Sequence, residues 1–167
     1  MLHHVEIYVS NLETSRAFYD FLLTKLGYSL YQEWEGGFSM ALYDSKSLAT
    51  KESLEPLMQF EQSENSNPMS RPEQYLVFVQ TPEDFLEAGY HRCRTGLNHL
   101  AFHAGTPDDV DKWRQEFLTR RVKLLYDDRY PHAGGPDHYA LYLEDPDGIK
   151  IELVGRDRNT EVKDESF

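Results

Sequence analysis

Three side chains in this sequence have the types needed for one particular chemistry: His4, His99 and Glu152. Two neutral imidazoles and a carboxylate form a common ligand set for a divalent metal, leaving coordination positions open for water or substrate. No tight local motif joins them, so the case rests on the strands that would carry them. His4-Val5-Glu6-Ile7-Tyr8-Val9 and His99-Leu100-Ala101-Phe102-His103-Ala104 both alternate, with Val5, Ile7, Val9 and Leu100, Phe102, Ala104 as the apolar sets. Such alternation marks half-buried strands. If Val5, Ile7 and Val9 pack under a helix, His4, Glu6 and Tyr8 face the other way, and His99, Ala101 and His103 likewise share a face. Ile149, Ile151 and Leu153 are the apolar set of a later strand, which turns Glu152 away from them. On the same faces, Glu6 is a candidate base or a partner that orients a ligand. His103 is a candidate acid or base, and His3 alternates to the opposite face.

The elements behind these residues repeat. The segments starting at His4 and His99 run together without a gap, each passing from strand to helix to strand. In the first half Ser10 and Glu13 form a capping box, or Asn11 caps instead. Ala17, Phe18, Phe21, Leu22 and Leu26 then follow near the helical period, and Gly27 suits a left-handed helix end. In the second half Thr106 is the expected N-cap, Pro107 the first helical residue, and Asp108 and Asp109 suit the helix dipole. Val110, Trp113, Phe117 and Leu118 form that helix's apolar stripe. Tyr28-Ser29-Leu30-Tyr31 falls over Lys123-Leu124-Leu125-Tyr126 at the same offset.

Each half then reads as further strands. Phe38 to Tyr43 follows a Gly36-Gly37 turn. His138 to Glu144 and Ile149 to Val154 are joined by a turn at Asp145-Pro146-Asp147-Gly148. Two segments compete for the last strand of the first half, Leu57 to Glu61 and Tyr75 to Gln80, and β-propensity favours the second. The expected organisation is α+β, two tandem βαβββ modules forming a curved mixed sheet. Residues 1–80 are the first module with a loop insertion at about 44–74, 81–96 a linker, 97–155 the second module, and 156–167 a charged tail. The glycine-rich stretch His132 to Pro136 reads as a flexible rim or lid.

Composition narrows the function classes. The chain has 167 residues and a formal net charge of −12, from 29 acidic and 17 basic side chains. That balance argues against binding a nucleic-acid backbone or an anionic membrane surface. Its 11 Tyr and 9 Phe supply rings for a pocket or for a homodimer interface. Cys93 is the one cysteine, so no intrachain disulfide can form, and a free thiol fits a reducing compartment. No apolar run reaches the roughly 20 residues that span a bilayer. The N-terminal residues do not read as a signal peptide, which makes the cytoplasm the expected location.

The chain resembles the vicinal oxygen chelate superfamily, which includes glyoxalase I, extradiol dioxygenases and bleomycin- and fosfomycin-resistance proteins. The carriers are His4-Val5, the run from Ser10 to Ser15, Phe18-Tyr19 and Leu26-Gly27-Tyr28. Further carriers are Gly96 to His103 and, most specific, Asp145-Pro146-Asp147-Gly148-Ile149-Lys150-Ile151-Glu152-Leu153. The resemblance implies paired βαβββ modules around a metal cleft, with His4, His99 and Glu152 as ligands. The family's fourth position falls on Gln59 if Leu57 to Glu61 is the strand, and on Val77, which cannot ligate, if Tyr75 to Gln80 is. Tyr142, with Asp145-Pro146, Gly148 and Glu152, is similar to the tail of the extradiol dioxygenase signature. His138 is too close to Tyr142, and His132 too far, to supply that signature's histidine.

The implied function is a divalent-metal enzyme acting on a small oxygen-chelating substrate. Ni, Zn or Co would serve isomerase or lyase chemistry; Fe or Mn would serve oxygen chemistry. Basic residues for a glutathione carboxylate are not evident. The alternative is a protein that binds or sequesters a small molecule, such as an antibiotic, without turnover.

Overall fold

A computed structural model describes residues 2–43, 72 and 74–156. Gln59, the segment Leu57 to Glu61 and the tail beyond residue 156 lie outside the described residues. Two compact units emerge, Met1–Leu12 with Tyr19–Thr81, and Glu13–Phe18 with Pro82–Phe167. Each builds its own four-stranded mixed sheet.

The first sheet contains β1 (His4–Val9), β2 (Ser29–Trp34), β3 (Gly37–Leu42) and β4 (Gln74–Gln80), in the order β1-β4-β3-β2. β1 runs parallel to β4, and the other pairs are antiparallel. β4 is thus the Tyr75–Gln80 candidate, extended by one residue. Alternation along β1 is as expected: Ile7 and Val9 are buried while His4, Glu6 and Tyr8 are exposed. Ile7, Phe78 and Phe38 form one row across the sheet. The Phe78 ring lies 4.8 Å from Phe38 and 4.1 Å from Tyr19. Side chains of this size, fully removed from water, each stabilise the fold by roughly 1.5–3 kcal/mol.

Tyr19 belongs to α1 (Leu12–Lys25). The buried face of that helix is Ser15, Tyr19, Leu22 and Leu23, while Ala17 is exposed and Phe18 and Phe21 are half-buried. The expected stripe was therefore rotated. Apolar residues lie on two overlapping faces of this sequence, and packing under Phe78 selects the one containing Tyr19. The helix ends as Gly27 predicts: φ is +91°, the Tyr28 N–H donates to Leu23 O (2.9 Å) and the Gly27 N–H to Thr24 O (3.1 Å). At its start, the Gln80 side chain accepts from the Leu12 N–H (3.0 Å) and donates to Ser10 O (3.0 Å). The β2–β3 turn falls at residues 35–36, one earlier than expected, with Gly37 already in β3. A Cβ on Gly37 would stand 2.4 Å from the Trp34 indole and 2.5 Å from Phe78 O, so only glycine fits there.

The second sheet contains β5 (His99–His103), β6 (Leu124–Leu125), β7 (Ala140–Glu144) and β8 (Lys150–Val154), in the order β5-β8-β7-β6. A short helix, α2 (Glu83–Leu86), precedes it, and α3 (Pro107–Thr119) connects β5 to β6. Thr106 caps α3 in a capping box with Asp109, and Pro107 is its first residue. Val110, Trp113 and Phe117 are buried as expected, but Leu118 is 43% exposed, because it lies beside the stripe rather than on it. Asp145 closes the β7–β8 hairpin: its Oδ1 accepts from the Asp147 N–H (2.9 Å) and the Ile149 N–H (2.7 Å), and Gly148 takes φ +83°. That turn sets the register pairing Tyr142 with Glu152.

Candidate metal centre

In the second unit, β8 sits between β5 and β7, with Ala101 and Tyr142 the cross-strand partners of Glu152. Ile151 and Leu153 are fully buried on the other face, as the alternation required. Glu152 itself is 5% exposed. A buried carboxylate is costly unless it is paired, and this one has three partners. Its Oε2 lies 2.9 Å from His99 Nε2. Its Oε1 accepts from the Tyr142 hydroxyl (2.9 Å) and lies 2.5 Å from His138 Nε2. Burial, followed by the Glu152 hydrogen bond and charge, pushes the Tyr142 phenol up to about 12, so at neutral pH it remains a donor.

The state of the His99 ring can be read from its neighbour. The Asn98 side-chain amide donates from Nδ2 to Arg92 O (3.0 Å), which turns its oxygen toward His99 Nδ1 at 2.9 Å. An amide oxygen only accepts, so Nδ1 carries a proton. A neutral His99 then presents a bare Nε2 lone pair to a carboxylate oxygen. Two facing acceptors need a cation, either a proton or a metal ion. Two ligand atoms at about 2.1 Å from one ion stand about 3.0 Å apart at the right angle of an octahedral site and about 3.4 Å apart at a tetrahedral angle, so the observed 2.9 Å matches the octahedral spacing. The His99–Glu152 pair therefore fits a divalent metal in both spacing and donor chemistry. Among the described residues, no group of three or more His, Cys, Asp or Glu side chains is arranged to hold an ion. The second unit alone thus offers a pair.

In the first unit, His4 is stacked on Tyr75, with centroids 4.9 Å apart and planes within 6°. His3 departs from the expectation. It precedes β1, so the strand alternation does not bind it, and its Nδ1 lies 2.8 Å from His4 Nδ1. Val77, whose cross-strand partners are Glu6 and Ser39, holds the register place that Glu152 holds in the second sheet. A carboxylate is thus replaced by an apolar side chain at the repeat-equivalent position. Glu6 and His103 are both exposed, each on the face of its own sheet that carries the histidine of that sheet's first strand.

The sequence profile of the Glyoxalase/Bleomycin resistance protein/Dioxygenase superfamily matches residues 1–153. The chain belongs to that superfamily. An uncharacterized protein of Bacillus subtilis (strain 168), YqjT, is 42% identical over 153 residues, covering 92% of this chain and 97% of YqjT. A crystal structure from Bacillus halodurans, described as a "putative glyoxalase", is 44% identical with a TM-score of 0.74, over 93% of this chain and 96% of that one. Lactoylglutathione lyase from Agrobacterium tumefaciens has the same fold at 15% identity (TM-score 0.52, covering 93% and 92%). Superfamily membership is consistent with the two tandem modules seen here, each with its own mixed sheet.

Glu152 and His99, both legible in the sequence, come together with Tyr142 in the structure. No sequence pattern marks Asn98, which orients His99, and the spacing of His138 from Tyr142 does not match the dioxygenase signature. The expected β7 began at His138, but the strand starts at Ala140. His138 lies just outside it, where period-two alternation does not say which way a side chain points.

Proposed function

We propose that the protein is a divalent-metal enzyme of the glyoxalase/dioxygenase type, acting on a small substrate through two adjacent oxygens. His4, His99 and Glu152 are the proposed ligands. The observation that carries this reading is His99 Nε2 facing the buried Glu152 carboxylate at 2.9 Å, with the Asn98 amide oxygen turned to the other ring nitrogen. Support for His4 is its repeat-equivalence to His99 at the head of the first strand of its module, together with the superfamily resemblance. A bound divalent ion would supply Lewis-acid polarisation of substrate oxygens or, if redox-active, one-electron chemistry.

The chain's own residues have separate tasks. Asn98 holds the His99 tautomer. Glu152 contributes the negative charge that balances a dication. Tyr126 and Tyr142, edge to face at 5.4 Å, form an aromatic wall beside Glu152, with the Lys150 ammonium 5.7 Å from the Tyr142 ring centre. Glu6 and His103 are the acid–base groups on the histidine-bearing faces.

Elemental analysis of the native protein, followed by Zn2+ and Mn2+ titration of the wild type, His4→Ala, His99→Ala and Glu152→Gln, tests the ligand set. Near-stoichiometric binding in the wild type and loss in each variant is expected. Metal content unchanged in His99→Ala would remove that residue from the site. Dioxygen uptake over a panel of catechols and isomerisation of hemithioacetals then distinguish the two reaction classes. Tight binding of small molecules without turnover in either assay would instead indicate a sequestering protein.

A further inference from the structure

The way Glu152 is held goes beyond naming it as a ligand. A carboxylate oxygen offers two lone-pair directions. Both directions of Oε1 have partners: the Tyr142 hydroxyl donates to it at 2.9 Å, and His138 Nε2 lies at 2.5 Å, where a carboxylate acceptor requires the ring to carry a proton on Nε2. Oε2 has neither partner and faces His99 Nε2 at 2.9 Å. The two oxygens of this buried group are therefore inequivalent before any ion arrives.

The loop carrying His138 is packed to maintain this. Gly134 lies so close that a Cβ there would stand 2.5 Å from His138 Cδ2 and 2.7 Å from the Tyr142 hydroxyl oxygen. The His138 N–H closes a turn onto Gly135 O (3.1 Å). The next residue, Tyr139, donates its hydroxyl to Asp111 on α3 (2.8 Å). His138 is thus anchored on both sides of its own position in the chain.

We infer that His138 and Tyr142 are positioning residues that occupy Glu152 Oε1 and so restrict the carboxylate to one-oxygen binding of the metal through Oε2. The inference rests on the proposed metal site. Its consequence is chemical: a carboxylate denied its second oxygen takes one coordination position instead of two, which keeps an additional position free for a substrate that chelates through two oxygens. Removing both donors frees Oε1, and Glu152 is then able to close onto the ion with both oxygens.

The test uses the Zn2+-loaded full chain and infrared difference spectra with 13C-labelled glutamate, Glu152→Gln identifying the Glu152 bands. The separation between asymmetric and symmetric carboxylate stretches is wide for one-oxygen binding and narrow for two. The wild type should show the wide separation. His138→Leu combined with Tyr142→Phe should show the narrow one, with Zn2+ affinity weakened roughly 10- to 100-fold, the usual effect of losing partners that orient a ligand. His138→Gln alone, which retains an N–H donor of similar reach, should keep the wide separation. Tyr142→Phe alone, which preserves ring packing, should narrow it in part and guards against a folding defect in the double variant. A narrow separation in the wild type, or a wide one in the metal-loaded double variant, overturns the inference and leaves the metal site intact. A wild type that takes up no metal at all overturns both, and is recognised by the missing uptake rather than by band positions.

Discussion

The Asn98 amide oxygen lies 2.9 Å from His99 Nδ1, and the same amide donates its N–H to Arg92 O at 3.0 Å. Each bond fixes the other, since the amide has one orientation that satisfies both. The result is an imidazole held with a proton on Nδ1, the nitrogen turned away from Glu152. Replacing Asn98 with Leu removes the acceptor and lets the ring adopt either tautomer or rotate. Zn2+ affinity measured by calorimetry should fall roughly tenfold or more, and Asn98→Asp, which still accepts from Nδ1, should recover most of the loss. Equal affinity in Asn98→Leu and the wild type would show that the ring does not need its neighbour.

Gly134 lends itself to a packing prediction that does not involve metal. A methyl group there would overlap His138 Cδ2 and the Tyr142 hydroxyl oxygen. Gly134→Ala should therefore destabilise the apo protein by about 1–3 kcal/mol, the usual penalty for forcing atoms into filled space. If the collision with His138 is the cause, adding His138→Ala should restore part of the loss. Urea unfolding of the four members of that cycle measures the coupling. Strict additivity would place the strain elsewhere.

Much of this architecture is written in local pattern. The alternation of His4, Glu6 and Tyr8 against Ile7 and Val9 is visible because one face of β1 is buried and the other is not. Thr106, Pro107 and Asp109 announce the start of α3, and Asp145 to Gly148 the final hairpin, because caps and turns depend on residues a few positions apart. Gln80 is different. It caps α1 from the end of a strand remote in sequence, so nothing near Leu12 signals it. His138 was obscured for another reason, since it lies in a turn where side-chain direction follows loop packing against Gly134 rather than a strand period. The buried face of α1 was ambiguous because Phe18 and Phe21 compete with Tyr19 and Leu23 on hydrophobicity, and only the position of Phe78 decides between them.

Glu144 gives a pH dependence. Its side chain is 11% exposed and bridges Arg92 (2.5 Å) and Lys123 (2.8 Å). Burial alone would raise its pKa, but the hydrogen bonds from Lys123 and Arg92 and their charges outweigh burial and hold it below the usual 4.5. A carboxyl whose folded pKa is depressed stabilises the fold above the unfolded pKa, and that contribution is lost as pH falls through the folded value. The urea midpoint should hold steady near neutrality and decline below about pH 4.5, with Glu144→Gln showing a shallower decline. At pH 7 the substitution should cost about 1 kcal/mol, a modest figure because Lys123 is largely exposed and its bond is screened. A variant whose acid decline matches the wild type would assign the lost stability to other carboxylates.

Asp111 governs the loop that delivers His138. Its Oδ1 accepts from the hydroxyls of both Tyr130 and Tyr139, and Arg114 on the same helix lies 5.0 Å from the Tyr130 ring centre while pairing with Asp127 at 2.6 Å. These contacts tie residues 127–139 to α3 at several points. Burial, then the Asp111 hydrogen bond, pushes the Tyr130 phenol well above its ordinary value. A raised folded pKa contributes stability that is present below the unfolded pKa of about 10 and fades as pH climbs past it. Asp111→Ala removes the shared acceptor and leaves two phenols to find water. Amide exchange at residues 130–139 should accelerate while the cores of both sheets stay protected, because the substitution touches neither Ile151 and Leu153 nor Phe38 and Phe78. In the loaded protein, Zn2+ affinity should drop in parallel, since a loosened loop no longer holds His138 on Glu152. Faster exchange in the loop with unchanged affinity would separate the strap from the site and show that Tyr142 alone suffices to orient the carboxylate.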